Sequence, residues 1–149
     1  MLKIKQLKGK NKYQVVNRQM IKQVKKVSEN IDNEEIWFLE HDKVFTAGSS
    51  TPREFKRKTI NKIPIIKINR GGKITYHGPG QLVIYPIINL KKRRLNIIDY
   101  IDELENICIE VFRKNSIELF KKKEKNRGLW VLKNKINKKI VFIGLRYSN

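Results

Sequence analysis

The chain has 149 residues, of which 40% are apolar and 9% aromatic, so it can form a hydrophobic core, and we predict a single domain over residues 1–149. No apolar run is long enough to span a membrane, and the N-terminus has no continuous apolar stretch of the kind a signal peptide needs. One cysteine excludes an internal disulfide framework. We therefore expect a protein of the reducing cytoplasm, with no membrane partner.

The charge is strongly basic. The 34 basic and 14 acidic residues give a net charge of +20, which would attract acidic partners, including nucleic acid. However, 25 of the basic residues are lysine and 9 are arginine, and an AT-rich coding sequence also produces such a bias. The charge alone leaves both explanations open.

The first part of the chain predicts one helix followed by strands. Residues 12–29 place apolar side chains at helical spacing, opposite lysine and glutamine. Strand patterns follow at Ile36–His41 and Ile63–Ile68, and Val44–Thr46 is predicted to continue extended before a Gly-Ser-Ser turn. The polar, proline-containing stretch 49–62 indicates a surface loop.

The second part predicts a strand, a helix and two further strands. Gln81–Ile88 is an apolar strand whose Pro86 favours an edge or a bulge, and Asn96 is a helix N-cap. The helix carries one apolar stripe: Ile97, Ile101, Leu104, Cys108, Val111 and Phe112. Strands are predicted at Leu129–Leu132 and Ile140–Leu145. This order indicates a mixed α/β (α+β) domain, with helices packed against a mixed sheet.

The stretch Arg70–Ile87 differs from the rest of the chain, because it places four glycines, a histidine and two tyrosines between apolar strands. Glycines allow a ligand to lie against bare backbone, and Tyr76 and His77 supply directional hydrogen bonds. This combination suits a binding site for a long apolar acyl chain. The alternative is a tight hairpin in which the glycines serve only as turns.

Other common sites are excluded by their missing motifs. The chain has neither a phosphate-binding loop nor a dinucleotide-binding glycine motif, and no G-x-S-x-G nucleophile turn. His41 and His77 lack the cysteine or histidine spacing of a zinc site.

Four segments resemble the lipoyl(octanoyl) transferases. The longest is Arg70–Ile87, which reads R-G-G-x-x-T-Y-H-G-P-G-Q-L-V-x-Y-P-I. Val44–Gly48, Asn126–Val131 and Lys139–Arg146 are similar to further segments of that family, in the same order. The resemblance implies a biotin/lipoate protein ligase-like (class II synthetase-like) catalytic domain. The related ATP-dependent lipoate ligases carry a different loop, which argues against ATP, and we expect no cofactor and no metal.

The resemblance also implies a reaction and its partners. These enzymes transfer an octanoyl group from octanoyl-acyl carrier protein to a lysine of lipoyl domains, in 2-oxoacid dehydrogenases and in the glycine cleavage H protein. A cysteine thiolate carries the acyl group between the two, and a lysine lowers the pKa of that cysteine. We therefore expect an acyltransferase of lipoate biosynthesis.

The residue roles implied by the resemblance follow the matched motifs. Lys139 matches the catalytic lysine, with Lys138 as the adjacent alternative. The implied substrate-binding residues are Arg70, Gly71, Gly72, Lys73, Ile74, Thr75, Tyr76, His77, Phe142, Ile143 and Gly144.

The chain departs from the family at the nucleophile. The family's catalytic Pro-Cys-Gly would follow the segment that matches Lys139–Arg146, but the sequence ends at Asn149. The single cysteine, Cys108, lies on the predicted apolar stripe and is expected to fill the core. We therefore expect a domain that is incomplete at the C-terminus, with activity lost or incomplete, an open strand edge and marginal stability.

Two functions of other classes remain as alternatives. The chain could be a non-catalytic binding module for acyl carrier protein or lipoyl domains, which its positive charge suits. Nucleic-acid binding through the basic surface has no supporting motif, so no specific nucleic acid is expected.

Overall fold

The computed structural model describes residues 1–122 and 128–146, which form two compact units. The first unit contains Met1–Asn89 together with Arg146, and the second contains Leu90–Leu145. Both units contain sheets, and each has one helix, so the predicted mixed α/β class is confirmed. The single domain over residues 1–149 stays a prediction. Within the described residues, no helix is long and apolar enough to span a membrane.

Helix α1, Tyr13–Ser28, packs on a three-stranded sheet in the first unit. The sheet has the order β1–β2–β7, where β1 is Leu2–Asn11, β2 is Glu34–His41 and β7 is Val83–Ile87. Strand β1 runs parallel to β2, and β7 runs antiparallel to β2. The helix and strands β2 and β7 agree with the sequence prediction, including the place of Pro86 on an edge strand. Strand β1 was not predicted, because exposed lysines interrupt its few apolar residues.

The core of the first unit lies between α1 and this sheet. Val16 and Val27 of the helix pack against Trp37, Leu39 and Ile87 of the sheet. All five are almost fully buried, and each contributes roughly 1.5–3 kcal/mol of hydrophobic stabilisation. The alternation of buried residues along β2 continues past this cluster to a polar side chain, His41, which is also fully buried.

A four-stranded sheet with the order β4–β5–β3–β6 completes the first unit. Its strands are Val44–Ala47 (β3), Thr59–Ile60 (β4), Ile63–Lys67 (β5) and Ile74–His77 (β6). Strand β3 is parallel to β5 and antiparallel to β6. The predicted strands at β3 and β5 are confirmed. The loop prediction for residues 49–62 is wrong at its end, where β4 pairs with β5.

The hairpin alternative for Arg70–Ile87 is wrong. Strand β6 pairs with β3, whereas β7 pairs with β2 in the other sheet. The Gly78–Gly80 turn therefore joins two sheets and does not reverse the chain within one ladder.

The second unit contains helix α2, Ile97–Arg113, and a sheet with the order β10–β9–β8. Its strands are Phe120–Lys121 (β8), Leu129–Lys133 (β9) and Ile136–Val141 (β10). The predicted N-cap is confirmed, because the Asn96 side chain accepts a hydrogen bond from the Asp99 backbone N–H at 2.9 Å.

The predicted strand Ile140–Leu145 is wrong in its bounds, because β10 begins four residues earlier and ends at Val141. The two-residue turn Asn134–Lys135 joins β9 to β10, and both residues have positive φ, as a type I′ hairpin requires. Strand β10 occupies an edge of its sheet, and Ile136 at its start and Phe142 just after its end are more than half exposed.

Candidate functional site

The glycine-containing segment of the first unit is attached to the end of β3 through Arg70. The Arg70 guanidinium donates from Nη2 to the Thr46 carbonyl at 3.0 Å and to Thr46 Oγ1 at 2.8 Å. It also donates from Nη1 to the Gly71 carbonyl at 2.8 Å. Burial lowers the pKa of Arg70, but a guanidinium keeps its charge at any physiological pH. Arg70 is therefore a fixed, half-buried cation at the base of the segment.

The backbone holds the same segment from its other side. Ser49 N–H donates to the Arg70 carbonyl at 2.8 Å, and Ser50 N–H donates to the Gly72 carbonyl at 3.1 Å. A Cβ on Gly48 would lie 2.4 Å from the Gly72 carbonyl oxygen, which is far inside van der Waals contact. Glycine is required at position 48, because a side chain there would prevent the Arg70–Gly72 backbone from lying this close to the end of β3.

The His77 imidazole contacts Thr46, the residue that also accepts hydrogen bonds from Arg70. His77 Nε2 is 3.2 Å from Thr46 Oγ1, and the ring stacks on Tyr13 with centroids 6.1 Å apart. Burial, and after it the nearby His41 and Arg70, lower the pKa of His77 to about 4. His77 is consequently neutral at physiological pH. Its buried Nδ1 has no hydrogen-bond partner within residues 1–122 and 128–146.

A second histidine, the fully buried His41, was missed as a site residue. Its Nδ1 lies 2.9 Å from the Asn11 carbonyl and its Nε2 lies 2.9 Å from the Tyr85 hydroxyl. Because a carbonyl can only accept, Nδ1 carries the proton and Nε2 accepts from Tyr85. Burial lowers the pKa of His41 and raises that of Tyr85, so both are neutral.

Six side chains form a polar cluster that joins α1, β2, β3, β6 and β7 through the contacts given above. The members of this polar cluster are Tyr13, His41, Thr46, Arg70, His77 and Tyr85. Only Arg70 and His77 were predicted to belong to a site. A signal for His41 was present in the sequence, because it follows Trp37 and Leu39 at the two-residue period of a buried strand face.

The remaining predicted substrate-binding residues of the first unit lie in different environments. Gly71, Gly72 and Lys73 are exposed, whereas Ile74 and Thr75 are half-buried in β6. Tyr76 is 39% exposed and its ring lies 5.3 Å from that of Phe45. The segment thus offers an exposed glycine backbone next to a half-buried, neutral histidine and a fixed arginine.

The predicted catalytic lysine, Lys139, lies in the second unit on β10, opposite Trp130 of β9. Its Nζ is 5.9 Å from the centroid of the Trp130 ring and 5.1 Å from that of Phe142, within range of cation–π interaction. Burial lowers the pKa of Lys139, and the negative charge of Glu105 opposes that change. Lys139 is therefore a partly desolvated amine, unlike its exposed neighbour Lys138.

Phe142, Ile143 and Gly144 follow β10 without regular secondary structure. Phe142 is 55% exposed, Ile143 is half-buried and Gly144 is exposed. Arg70–His77 and Lys139 fall in different units, so their role in one common site stays a prediction. The matched positions Asn126 and Arg127, and the chain end at Asn149, lie outside the described residues.

Cys108 is half-buried on α2. Burial raises the pKa of its thiol, and the Glu105 carboxylate raises it further. The thiol is therefore protonated at neutral pH and a poor nucleophile. This agrees with its predicted role as a packing residue. No group of three potential metal ligands occurs in the described part of the chain.

Comparisons with known proteins give the family. Residues 13–149 match the lipoyl protein ligase A/B catalytic domain. An octanoyltransferase from Buchnera aphidicola subsp. Acyrthosiphon pisum is 44% identical over 114 residues, covering 76% of this chain and 51% of that protein. Octanoyltransferases from Wigglesworthia glossinidia brevipalpis and Wolbachia pipientis wMel are 40% and 38% identical, covering 95% and 90% of this chain but 62% and 64% of those proteins.

The chain thus spans about half to two thirds of the length of these curated relatives. The resemblance to octanoyltransferases is confirmed, and the chain belongs to the lipoyl protein ligase A/B catalytic domain family.

Proposed function

We propose that this chain carries the acyl-binding segment and the catalytic lysine of an octanoyltransferase. The observation that supports this most strongly is that the Arg70 guanidinium donates two hydrogen bonds to Thr46, which also contacts the neutral His77. An octanoyl chain is apolar, so it can lie against the bare glycine backbone. Its thioester carbonyl is a weak acceptor, which suits a site that also contains the neutral His77 and the cationic Arg70. In this proposal, residues Arg70–His77 and Phe142–Gly144 bind the acyl group.

The reaction transfers an octanoyl group from the thiol of acyl carrier protein to a lysine of a lipoyl domain, in the cytoplasm. In the first step a cysteine thiolate attacks the thioester carbonyl and the carrier thiol leaves with a proton. In the second step the acceptor lysine attacks the new thioester, forming an amide and restoring the cysteine thiol. The proposed role of Lys139 is to stabilise the thiolate by its positive charge.

In this proposal, these 149 residues do not complete that reaction by themselves. Cys108 is the single cysteine of the sequence, and its thiol is protonated and half-buried on α2. The proposal therefore assigns the nucleophile to a segment equivalent to the part of the relatives that this chain does not span. Such a segment could act when covalently joined or when added separately.

An octanoyl-transfer assay tests the proposal, with octanoyl-acyl carrier protein as donor and a lipoyl domain as acceptor. We expect no turnover by the chain alone, and turnover when the C-terminal part of the Buchnera relative is fused to it. Cys108→Ala should leave the activity of the fusion unchanged, whereas Lys139→Met should abolish it. Turnover by the Cys108→Ala chain alone would refute the mechanism.

A non-catalytic binding module is the second candidate, and the charge distribution favours it. The run Lys91–Arg94 is exposed just before α2 and adds to a net charge of +20, which suits an acidic carrier protein. Binding of acyl carrier protein that weakens steeply with salt, without transfer by the fusion, would favour this candidate over the enzyme.

A further inference from the structure

Glu105 is a buried carboxylate that the proposed reaction does not use. It lies in the middle of α2 and is only 5% exposed, whereas its neighbours Glu103 and Asn106 are exposed. Removing a carboxylate from water is costly unless the group is paired and hydrogen-bonded. Its placement therefore requires specific partners.

The structure provides two partners for Glu105, one for each carboxylate oxygen. Oε1 accepts a hydrogen bond from the Gly128 backbone N–H at 3.3 Å, and Oε2 lies 3.3 Å from Lys121 Nζ. Lys121 also lies 3.8 Å from Asp102, but that carboxylate is 54% exposed and contributes little. Glu105 thus connects α2 to the start of β9.

Gly128 lies directly against the end of the Lys139 side chain. A Cβ built on Gly128 would be 2.5 Å from Lys139 Cε and 3.0 Å from Nζ, and 2.4 Å from the Val141 carbonyl oxygen. Its φ of +113° also disfavours any other residue. The position of the Gly128 backbone consequently determines how much room the lysine ammonium has.

Several charges lie near this lysine in the part of the chain that the structure describes, and Lys122 Nζ lies 4.1 Å from the centroid of the Trp130 ring that Lys139 also faces. The Trp130 and Phe142 rings offer their faces to the ammonium, and Glu105 contributes negative charge that raises the pKa of Lys139 against the effect of burial. Lys121, the salt-bridge partner of Glu105, offsets part of that negative charge. The state of Lys139 therefore depends on both members of the salt bridge.

We propose that Glu105 is the positioning residue of Lys139: its carboxylate fixes the Gly128 backbone against the end of the lysine side chain and places a negative charge near the ammonium. This inference rests on the proposed function for its relevance to acyl transfer. Glu105 does not contact substrate and acts only through Lys139. Its role differs from a merely structural one in that removal of the charge alone, with the shape kept, alters the lysine.

Trace acetylation of the chain, followed by mass spectrometry, measures the reactivity of Lys139 relative to Lys138 in the same molecule. In Glu105→Gln, which keeps the hydrogen-bond acceptor and removes the charge, we expect Lys139 to react faster, on the order of fivefold at a fixed pH near neutrality. Asp102→Asn is the matched control, because it removes the exposed carboxylate that also contacts Lys121. It should leave the ratio unchanged.

Lys121→Met gives a change of opposite sign. Without the Lys121 ammonium, the full charge of Glu105 acts on Lys139, so Lys139 should react more slowly than in the unmodified chain. If the Glu105→Gln chain fails to fold, the Lys121→Met variant still tests the inference. An unchanged ratio of Lys139 to Lys138 in either folded variant would overturn the inference.

The labelling result is independent of turnover. If the fused chain fails to transfer octanoyl groups while both labelling changes occur, the proposed function is wrong and the positioning of Lys139 stands. If transfer occurs and the labelling does not respond, the positioning is wrong and the function stands.

Discussion

The two units hold their functional residues in different ways. In Met1–Asn89, the glycine segment is attached by several hydrogen bonds to a sheet, and the polar cluster lies beside the apolar core of α1 and β2. In Leu90–Leu145, the buried apolar residues of the described part are Tyr100 and Leu129, and many apolar side chains are exposed. The comparison indicates that the glycine segment is held by several hydrogen bonds to a sheet, whereas the described contacts of Lys139 are with Gly128 and two aromatic rings.

The largest expected effect on stability is the difference between substituting Gly48, which is closely packed, and Gly71, which is exposed. Gly48→Ala places a methyl group 2.4 Å from the Gly72 carbonyl oxygen and 2.9 Å from the Arg70 carbonyl oxygen, so backbone must move. We expect it to destabilise the fold by about 4 kcal/mol. Gly71→Ala meets no atom within 4 Å and should cost less than about 1 kcal/mol. Chemical denaturation measures both, and equal costs would contradict the close approach.

Thr46→Val tests whether the polar cluster is held by one hydroxyl. Valine keeps the volume of Thr46 but leaves Arg70 Nη2 without that acceptor and removes the contact with His77. The expected cost in unfolding free energy is about 2 kcal/mol, because the site is fully buried. The control is Thr75→Val, which keeps the backbone carbonyl that Thr46 contacts. A cost as large for Thr75→Val would assign the effect to strand packing.

The pH dependence of stability should report His77. Its pKa is about 4 in the folded chain and 6.5 ordinarily, so below pH 6.5 the unfolded chain binds a proton that the folded chain does not. Stability is complete above pH 6.5 and is lost as the pH falls towards 4. Because the group is partly exposed, we expect a loss of about 1–2 kcal/mol over this window.

His77→Gln is the matched variant for this titration. A neutral amide cannot titrate, so the decrease in unfolding free energy between pH 6.5 and 4 should become smaller, with the remainder coming from His41, whose pKa burial also lowers. Denaturation midpoints measured across this range test the expectation. An unchanged slope would show that folding does not lower the pKa of His77.

The smallest effect is expected at Cys108 in the second unit. Glu105 and burial raise the pKa of its thiol, so alkylation at pH 7 should be slow. Glu105→Gln removes the charge contribution and should increase the rate by a few-fold, whereas Asp102→Asn should not. The rate of iodoacetamide modification can be assigned to Cys108, because the chain has one cysteine. An unchanged modification rate in Glu105→Gln would show that the Glu105 carboxylate does not affect the Cys108 thiol.

The stability of the isolated chain remains a prediction. Strand β10 lies at a sheet edge, and Leu132, Ile136 and Phe142 are more than half exposed. Exposed apolar side chains at an edge favour association, which agrees with the expected marginal stability.

The sequence alone predicted the features that depend on local pattern. The apolar spacing of residues 12–29 gave α1, the Asn96 side chain gave the start of α2, and the Arg70–Ile87 motif indicated the family before any fold was known. These features are encoded by neighbours in the chain, so periodicity and composition were sufficient to find them.

Only the tertiary structure decided which distant residues meet. Thr46, His41 and Tyr85 join Arg70 and His77 because β3 pairs with β6 and β2 pairs with β7, and no local pattern encodes such pairings. In the second unit, Glu105 reaches Gly128 across 23 positions of sequence. Within the sequence Glu105 is one more charged residue on a helix, and the role proposed for it rests on its burial, which depends on the packing of the whole unit.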